Sequence, residues 1–446
     1  MRSRPQAFGT RNRRPALQDG ALTAPNRRRN AGRNNLGEGS MTTSRRNLIQ
    51  ALAAGGAAFA AAGSASSALA QSATQPSSQA GPAAPSPDFG VASSEEHELK
   101  IVSVARLEDD ARKILSPGRF AVMGPSGDGW TYRENRRAFN DYPIMPRRLQ
   151  NVDDKDIDLS TMLLGHKLPL PVFTCPTGAQ GNFHVKAELP NAAGTGMAGS
   201  LFVASGASNR PMEEIAKATT GPKWFQIYMN RDMELNRWLV QRAKAAGYSA
   251  IVLTADALGP GQSDAYIALG RPRDPALTAG NHDPALGGHG NFSDQKRNLS
   301  FSDISFLREA SGLPVLVKGV VQPDDIRQSL AEGAAGIWVS NHGGRQMDGG
   351  PASISMLRAA VDAVGGRVPV VLDSGIRRGA DIFKALSLGA TAVGIGRPAL
   401  WGLIDGGSLG VKSVYAQLAF ELKSTMLMSG VAKVTNLNRD NLAKVG

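Results

Sequence analysis

Eight short runs of apolar and β-branched residues recur along the chain after residue 170, and this repetition constrains the fold most strongly. Helical stretches with apolar residues three and four positions apart separate most of the runs, for example at 233–246, 323–332, 354–364 and 380–388. Such alternation predicts an α/β protein whose eight parallel strands close into a (β/α)₈ TIM barrel. The predicted strands are 170–175, 201–205, 224–229, 250–256, 314–319, 336–341, 368–373 and 392–396.

The alternative is an open, doubly wound sheet, which would need a glycine-rich turn after its first strand. Residues 194–199 read GTGMAG and match the dinucleotide pattern GxGxxG formally. That pattern must follow a strand and open a helix. Here it follows a predicted helix at 187–193 and precedes a strand, so we interpret it as a helix–strand loop with a glycine cap.

Active sites of barrels lie where the strands end. A lysine, a histidine, two acids and three arginines gather there, which indicates a functional site. Ser205 or Thr254 alone would equally fit a structural role. The strand-end residues are Pro176, Thr177, Gly178, Ser205, Gln226, Tyr228, Thr254, Asp256, Lys318, Ser340, His342, Arg345, Asp373, Arg377, Gly396 and Arg397.

The loops after the last two strands combine glycines with arginines. Residues 373–379 read DSGIRRG and residues 394–397 read GIGR. Backbone N–H groups at helix N-termini and guanidinium groups both bind phosphate, and these two loops are where a barrel holds it. We therefore expect Gly375, Arg377, Gly396 and Arg397 to bind a phosphate.

The segment 336–351, GIWVSNHGGRQMDGGP, places His342 and Arg345 among glycines directly after a strand. It resembles the signature of the FMN-dependent α-hydroxy-acid oxidases and dehydrogenases, the family of glycolate oxidase and flavin lactate dehydrogenase. The resemblance covers roughly residues 96–433. It implies FMN as the cofactor, no metal, and oxidation of a small 2-hydroxy acid to the 2-oxo acid.

The resemblance also implies roles for single residues. His342 would be the base, with its pKa raised by Asp256, while Tyr228 and Arg345 would bind the substrate hydroxyl and carboxylate. Lys318 would stabilise the reduced flavin. The other implied cofactor contacts are Pro176, Thr177, Gly178, Ser205, Gln226, Thr254, Ser340, Asp373, Gly375, Arg377, Gly396 and Arg397. Oxygen, a quinone or a cytochrome are open as the acceptor, and family habit implies a homo-oligomer.

Two substrate-facing positions depart from the family pattern. The stretch 120–127, FAVMGPSG, lacks the family's tyrosine, and Ser263 stands where the family has an arginine. We therefore expect a substrate other than simple glycolate or lactate, with Arg271 or Arg273 as candidate replacements. Both lie in a long loop, 257–300, that is rich in Gly, Pro and Asp and has the position of a lid.

Two other functions remain as alternatives. Another FMN-barrel reaction, such as isoprenoid diphosphate isomerisation, would share the phosphate loops but would not need His342 beside Arg345. An exported flavin-binding protein with altered or lost activity is compatible with the changed substrate pocket.

The N-terminal region predicts export. Residues 41–70 carry Arg45 and Arg46 before an apolar run that ends in Ala-Leu-Ala, which resembles a twin-arginine signal rather than a membrane anchor. Residues 1–40 form a basic disordered extension, and Met41 is an alternative start. A disordered linker is expected over 71–95, before a single catalytic domain, 96–446, with a short N-terminal helical extension.

Charge and cysteine content fit this scheme. Residues 1–70 contain 11 Arg, no Lys and two acids, so only about +3 of the net charge of +12 belongs to the remainder. The basic composition therefore gives no argument for nucleic-acid binding. Cys175 is the single cysteine, which excludes an intrachain disulfide. A periplasmic protein exported in folded form with its cofactor needs none.

Overall fold

The computed structural model describes residues 89–259, 261, 263–282 and 294–443. The predicted extension 1–40, the export signal 41–70 and linker residues 71–88 lie outside them. Residues 89–95, also assigned to the linker, pack on the barrel: Phe89 and Ser93 are buried, and the Ser93 amide donates to the Phe183 carbonyl at 3.0 Å. The linker boundary predicted at residue 95 is therefore too late in the chain.

Eight parallel strands close into a barrel, as predicted, with each strand beside the next along the chain and the last beside the first. Two further strands form an antiparallel hairpin before it. Seven of the eight barrel strands end one or two residues before the predicted runs, whereas the strand that ends at Ser205 ends where predicted. The strands are β1 Thr161–Leu163, β2 His166–Leu168, β3 Val172–Thr174, β4 Phe202–Ser205, β5 Lys223–Ile227, β6 Ile251–Thr254, β7 Val315–Lys318, β8 Gly336–Val339, β9 Val370–Leu372 and β10 Ala392–Ile395.

Within the described residues, three α-helices precede the barrel and form the predicted N-terminal extension: α1 Leu107–Ile114, α2 Pro117–Ala121 and α3 Trp130–Arg137. Among the described residues, no helix is both long enough and apolar enough to span a bilayer. The remaining helices are α4 Glu188–Met197, α5 Met212–Ala218, α6 Met233–Ala245, α7 Asp264–Ala268, α8 Ser302–Ser311, α9 Pro323–Ala331, α10 Ser353–Val364, α11 Gly379–Ser387 and α12 Arg397–Ser429.

The barrel interior is filled by large side chains. Phe173 and Trp338 meet edge to face with ring centroids 4.9 Å apart, and Trp224 lies beside them. Leu163 and Leu168 of the β1–β2 hairpin belong to the same buried cluster. Because β2 leads directly into β3, the hairpin closes the amino end of the barrel, and the opposite end is left for a site.

The GTGMAG motif differs in detail from the prediction. Helix α4 continues to Met197, so the first four residues of the motif form its last turn, and only Gly199, with φ of +66°, turns the chain toward β4. A Cβ on Gly194 would overlap the Ser408 carbonyl. The motif therefore packs α4 closely on α12 and does not open a nucleotide-binding helix.

The long loop after β6 is more ordered than predicted. Its described part contains α7 and a 3₁₀ turn, Gly280–His282, which its Gly-, Pro- and Asp-rich composition does not indicate. Arg119, buried at the start of the domain, pairs with Asp274 of this loop at 3.1 Å. The loop is thus tied at its base to the N-terminal extension.

Candidate active site

A cavity of about 250 Å³ lies at the carboxyl ends of the barrel strands. Ser205, Gln226, Thr254 and Ser340 are buried at their strand ends and do not line it. Asp256 does not line the cavity either, but it contacts His342, which does. The predicted residues that line the cavity are Pro176, Thr177, Gly178, Tyr228, Lys318, His342, Arg345, Asp373, Gly375, Arg377, Gly396 and Arg397.

The turn after β8 directs His342 into this cavity. His342 has φ of +58°, an unfavourable conformation for a residue with a Cβ. Two contacts hold it: its amide donates to Ser340 Oγ at 3.0 Å, and its Nδ1 donates to Asp256 Oδ1 at 2.9 Å. Because a carboxylate can only accept, this pairing assigns the proton to Nδ1 and leaves Nε2 as the free basic atom.

The pKa of His342 lies below its ordinary value. Burial lowers it most, the Lys318 ammonium lowers it further, and Asp256 raises it by less than these two effects together. Asp256 therefore acts in the predicted direction, but the predicted net increase is wrong. The reasons are burial first and the Lys318 ammonium second, and the result is a neutral imidazole at neutral pH.

Lys318 lies in a buried network of opposite charges. Its Nζ is 3.8 Å from Asp256 Oδ2 and 3.7 Å from Asp373 Oδ2, and it donates to Ser340 Oγ at 2.9 Å. Burial disfavours the ammonium, but the two carboxylates more than offset this and raise the pKa of Lys318. Burial also acts against the Asp256 carboxylate, yet Lys318 and His342 keep its pKa below the usual range.

Asp373 anchors the strand ends around this lysine. Its carboxylate accepts from Trp338 Nε1 at 3.1 Å, Ser340 Oγ at 2.7 Å and Ser374 Oγ at 2.6 Å. Burial raises the pKa of Cys175, whose thiol faces the same carboxylate. A buried carboxylate with this many donors is a rigid support for the cavity floor.

Arg345 contacts the segment that lacks the family's tyrosine. Its Nη1 donates to the carbonyls of Val122 and Gly124 at 2.9 and 3.1 Å. Val122 and Met123 line the cavity beside it, whereas neither Arg271 nor Arg273 is among the lining residues. The structure thus brings one of the predicted arginines, Arg345, to the side of the cavity near His342.

Comparison with known proteins agrees with this geometry. Residues 111–444 match the model of a family described as FMN-dependent dehydrogenase. The chain is 39% identical to an L-lactate oxidase of Lactobacillus jensenii, covering 78% of this chain and 86% of that protein. It is 38% identical to a glycolate oxidase of Spinacia oleracea, covering 71% and 88%.

This chain belongs to the FMN-dependent dehydrogenase family. The solved structure of a mandelate oxidase with (S)-2-phenylpropionate is similar as well, with a TM-score of 0.71 and 35% identity over 78% of this chain and 99% of that one. The protein is therefore an FMN-dependent oxidoreductase of the 2-hydroxy-acid oxidase family.

The donor set of the cavity fits FMN. Among the buried side-chain polar atoms without a hydrogen-bond partner in the described part of the chain, four donors belong to predicted cofactor contacts: Gln226 Nε2, Thr254 Oγ1, Arg377 Nε and Arg397 Nη2. Buried polar atoms are normally satisfied, and the carbonyl, ring nitrogen and phosphate oxygen atoms of FMN are suitable partners. Gly375, which lines the cavity, packs directly against α3, where a Cβ would overlap the Asn135 carbonyl.

The phosphate end of the site differs from the expectation. Asp381 accepts from the amides of Arg377 and Arg378, both at 2.9 Å, and Glu421 accepts from the amide of Gly379 at 2.9 Å. The N-terminus of α11 is thus capped by carboxylates of the protein itself. The amides of Arg377, Arg378 and Gly379 are therefore already bonded within the protein.

Several lining residues were not identified from the sequence. Tyr132 and Asn135 of α3 and Val122 and Met123 come from the N-terminal extension. The barrel pattern gives no information on this segment. The one available signal was the family resemblance, which drew attention to 120–127 but not to α3.

Proposed function

We propose that this protein oxidises a 2-hydroxy acid to the 2-oxo acid with His342 as the base. The 2.9 Å contact between His342 Nδ1 and Asp256 at the cavity carries the proposal, because it leaves a neutral, oriented Nε2 beside the site. Bound FMN supplies the acceptor for the two electrons that leave the substrate α-carbon.

The other polar residues have complementary parts in this reaction. Arg345 binds the substrate carboxylate, and Tyr228 donates to its hydroxyl oxygen. His342 takes a proton from the hydroxyl or the α-carbon, and the resulting imidazolium is stabilised by the adjacent Asp256. Lys318, held by two carboxylates, provides the fixed positive charge that favours the reduced cofactor.

We further propose a substrate larger than glycolate or lactate. Apolar side chains of Val122 and Met123 line the wall that lacks the tyrosine, and Ser263 stands in place of the second arginine. A similar structure is that of a mandelate oxidase, an enzyme named for an aromatic hydroxy acid. Steady-state assays with a panel of 2-hydroxy acids test this, and glycolate or lactate emerging as by far the best substrate would overturn it.

The acceptor and the location are proposed as well. The similar relatives are named oxidases, which favours oxygen over a quinone or a cytochrome, and reoxidation of the reduced enzyme by each acceptor distinguishes them. Export to the periplasm rests on Arg45 and Arg46. Replacing both by lysine should retain the protein in the cytoplasm when fractions are compared.

The decisive experiment is an anaerobic reduction of the purified yellow protein with hydroxy acids, repeated with His342→Ala. The variant should retain FMN and lose most of the reduction rate. Undiminished reduction would contradict the base assignment. A yellow protein that no hydroxy acid bleaches would instead favour a non-catalytic flavin-binding protein.

A further inference from the structure

The Tyr132 ring of α3 lies close to both Arg377 and Arg397 at the lining of the cavity. The guanidinium carbon of Arg397 lies 4.6 Å from the centroid of the Tyr132 ring, and that of Arg377 lies 5.9 Å from it. On the far side, the Tyr132 hydroxyl donates to Glu108 Oε2 of α1 at 2.6 Å. One aromatic ring thus links both cations to a carboxylate that touches neither.

Burying two guanidinium groups close together is unfavourable, because both carry a positive charge. Burial, together with the neighbouring Arg345 and Arg377, lowers the pKa of Arg397 to about 9, while Tyr132 and Glu108 act in the opposite direction. Arg397 is fixed by bonds from Nε to the Met123 carbonyl at 3.0 Å and from Nη1 to the Gly343 carbonyl at 2.8 Å.

Each arginine nevertheless retains a free donor. Arg397 Nη2 and Arg377 Nε are buried and unpaired within the part of the chain that the structure describes. Arg377 also stacks on Trp401, with its guanidinium carbon 4.7 Å from the ring. Both guanidinium groups are therefore held by aromatic faces and backbone carbonyls, while N–H groups remain for an anion.

We propose that Tyr132, oriented by Glu108, is a positioning residue that holds Arg377 and Arg397 together as the binding site for the FMN phosphate. The ring face attracts both cations without neutralising either. A carboxylate in the same place would pair with the guanidinium groups and compete with the phosphate dianion. Glu108, one side chain further away, contributes negative charge without occupying the donors.

This inference rests on the proposed roles of Arg377 and Arg397, and it predicts a defect confined to the phosphate. Riboflavin, which carries the same ring and ribityl chain without the phosphate, is therefore the matched probe. Apoprotein is titrated with FMN and with riboflavin, and binding is followed by quenching of flavin fluorescence. The variants are Tyr132→Leu, which removes the ring face, and Tyr132→Phe, which removes only the bond to Glu108.

Tyr132→Leu should weaken FMN binding by about 5- to 30-fold, the range expected for lost cation–π contacts, and change riboflavin binding by less than about twofold. Tyr132→Phe should give a smaller loss of FMN affinity in the same direction. Trp130→Leu, at the exposed start of the same helix, is the control and should leave both affinities unchanged.

Equal weakening of both ligands, or unchanged FMN affinity in Tyr132→Leu, would overturn the proposal. Thermal unfolding of each apoprotein checks that α3 remains folded, and Tyr132→Phe alone decides the matter if the leucine variant does not fold. If the unmodified protein does not oxidise any hydroxy acid, the proposed function is wrong. The ratio of FMN to riboflavin affinity in each variant would still test the role of Tyr132.

Discussion

Asp256 contacts the proposed base and the buried lysine with different oxygen atoms of one carboxylate, at 2.9 Å from His342 Nδ1 and 3.8 Å from Lys318 Nζ. The proton affinity of the imidazole and the charge of the lysine are therefore coupled through a single group. Several measurable properties of the enzyme follow from this coupling.

Asp256→Asn should slow cofactor reduction without releasing FMN. The amide oxygen can still accept from Nδ1, but the negative charge that stabilises the imidazolium is lost, so we expect a decrease of about 10²- to 10⁴-fold. Anaerobic stopped-flow measurement of flavin bleaching gives the rate. A variant as fast as the parent would show that this carboxylate has no part in proton transfer.

The pH dependence should follow the lowered pKa of His342. The base must be neutral, so kcat/KM should rise with pH through an apparent pKa below 6.5 and be flat at neutral pH. Asp256 raises this pKa, so the acid limb should move to still lower pH in Asp256→Asn. Movement of that limb to higher pH would contradict the charge arrangement.

Lys318→Met should destabilise the fold and lower the flavin reduction potential. It leaves the Asp256 and Asp373 carboxylates buried without their cation, a change that typically costs about 3–5 kcal/mol. Because Lys318 depresses the folded-state pKa of Asp256, this stabilisation is present above the unfolded pKa of that carboxyl. It is lost as pH falls through the folded pKa.

The difference in unfolding free energy between Lys318→Met and the parent should therefore shrink at acidic pH. Urea unfolding at several pH values measures it, and redox titration gives the potential. Lys318→Arg is the control, since it retains a positive charge. A pH-independent difference would mean that the lysine acts through packing alone.

Arg345→Lys should raise KM for hydroxy acids more than it lowers kcat. Lysine keeps the charge but loses the paired geometry with a carboxylate, and loss of a charge-assisted hydrogen bond corresponds to about 10- to 100-fold. Steady-state kinetics separate the two constants. An unchanged KM would place the substrate carboxylate elsewhere in the cavity.

Ser263→Arg should improve the binding of small substrates such as lactate and glycolate. Ser263 pairs with Gly127 through a backbone bridge, and nearby Gly261 lies against the Arg345 carbonyl. A guanidinium added here should lower KM for lactate or glycolate by about 10-fold or more, the value of one charge-assisted contact. Ser263→Gln, which adds a polar side chain without charge, is the control and should leave KM near that of the parent.

The barrel was predictable because its signal is repeated along the chain. The strands are short apolar runs with polar residues at or just after their carboxyl ends, such as Lys318 and Asp373. Those polar residues also indicated where the site would lie. The exact strand limits were not predictable: the Asp373 amide still bonds to the Val339 carbonyl, although the strand itself ends at Leu372.

The details of the site depend on contacts between distant segments of the chain. The spacing of apolar residues along the sequence does not reveal such contacts. Tyr132 comes from a helix outside the barrel, and its position close to two arginines required the fold. The lowered pKa of His342 depends on its burial and on the nearby Lys318 ammonium, which only the fold reveals. Likewise, Asp381 and Glu421 cap α11 from positions that the DSGIRRG motif does not reveal.

The hairpin of Thr161–Leu163 and His166–Leu168 closes the amino end of the barrel, where Leu163 and Leu168 are buried. We therefore expect the hydroxy acid and the oxidant to enter the cavity from the opposite end. If both use this entrance, the keto product should leave before the oxidant binds, which is a ping-pong mechanism. Initial-rate plots against hydroxy acid at several acceptor concentrations would then give parallel lines.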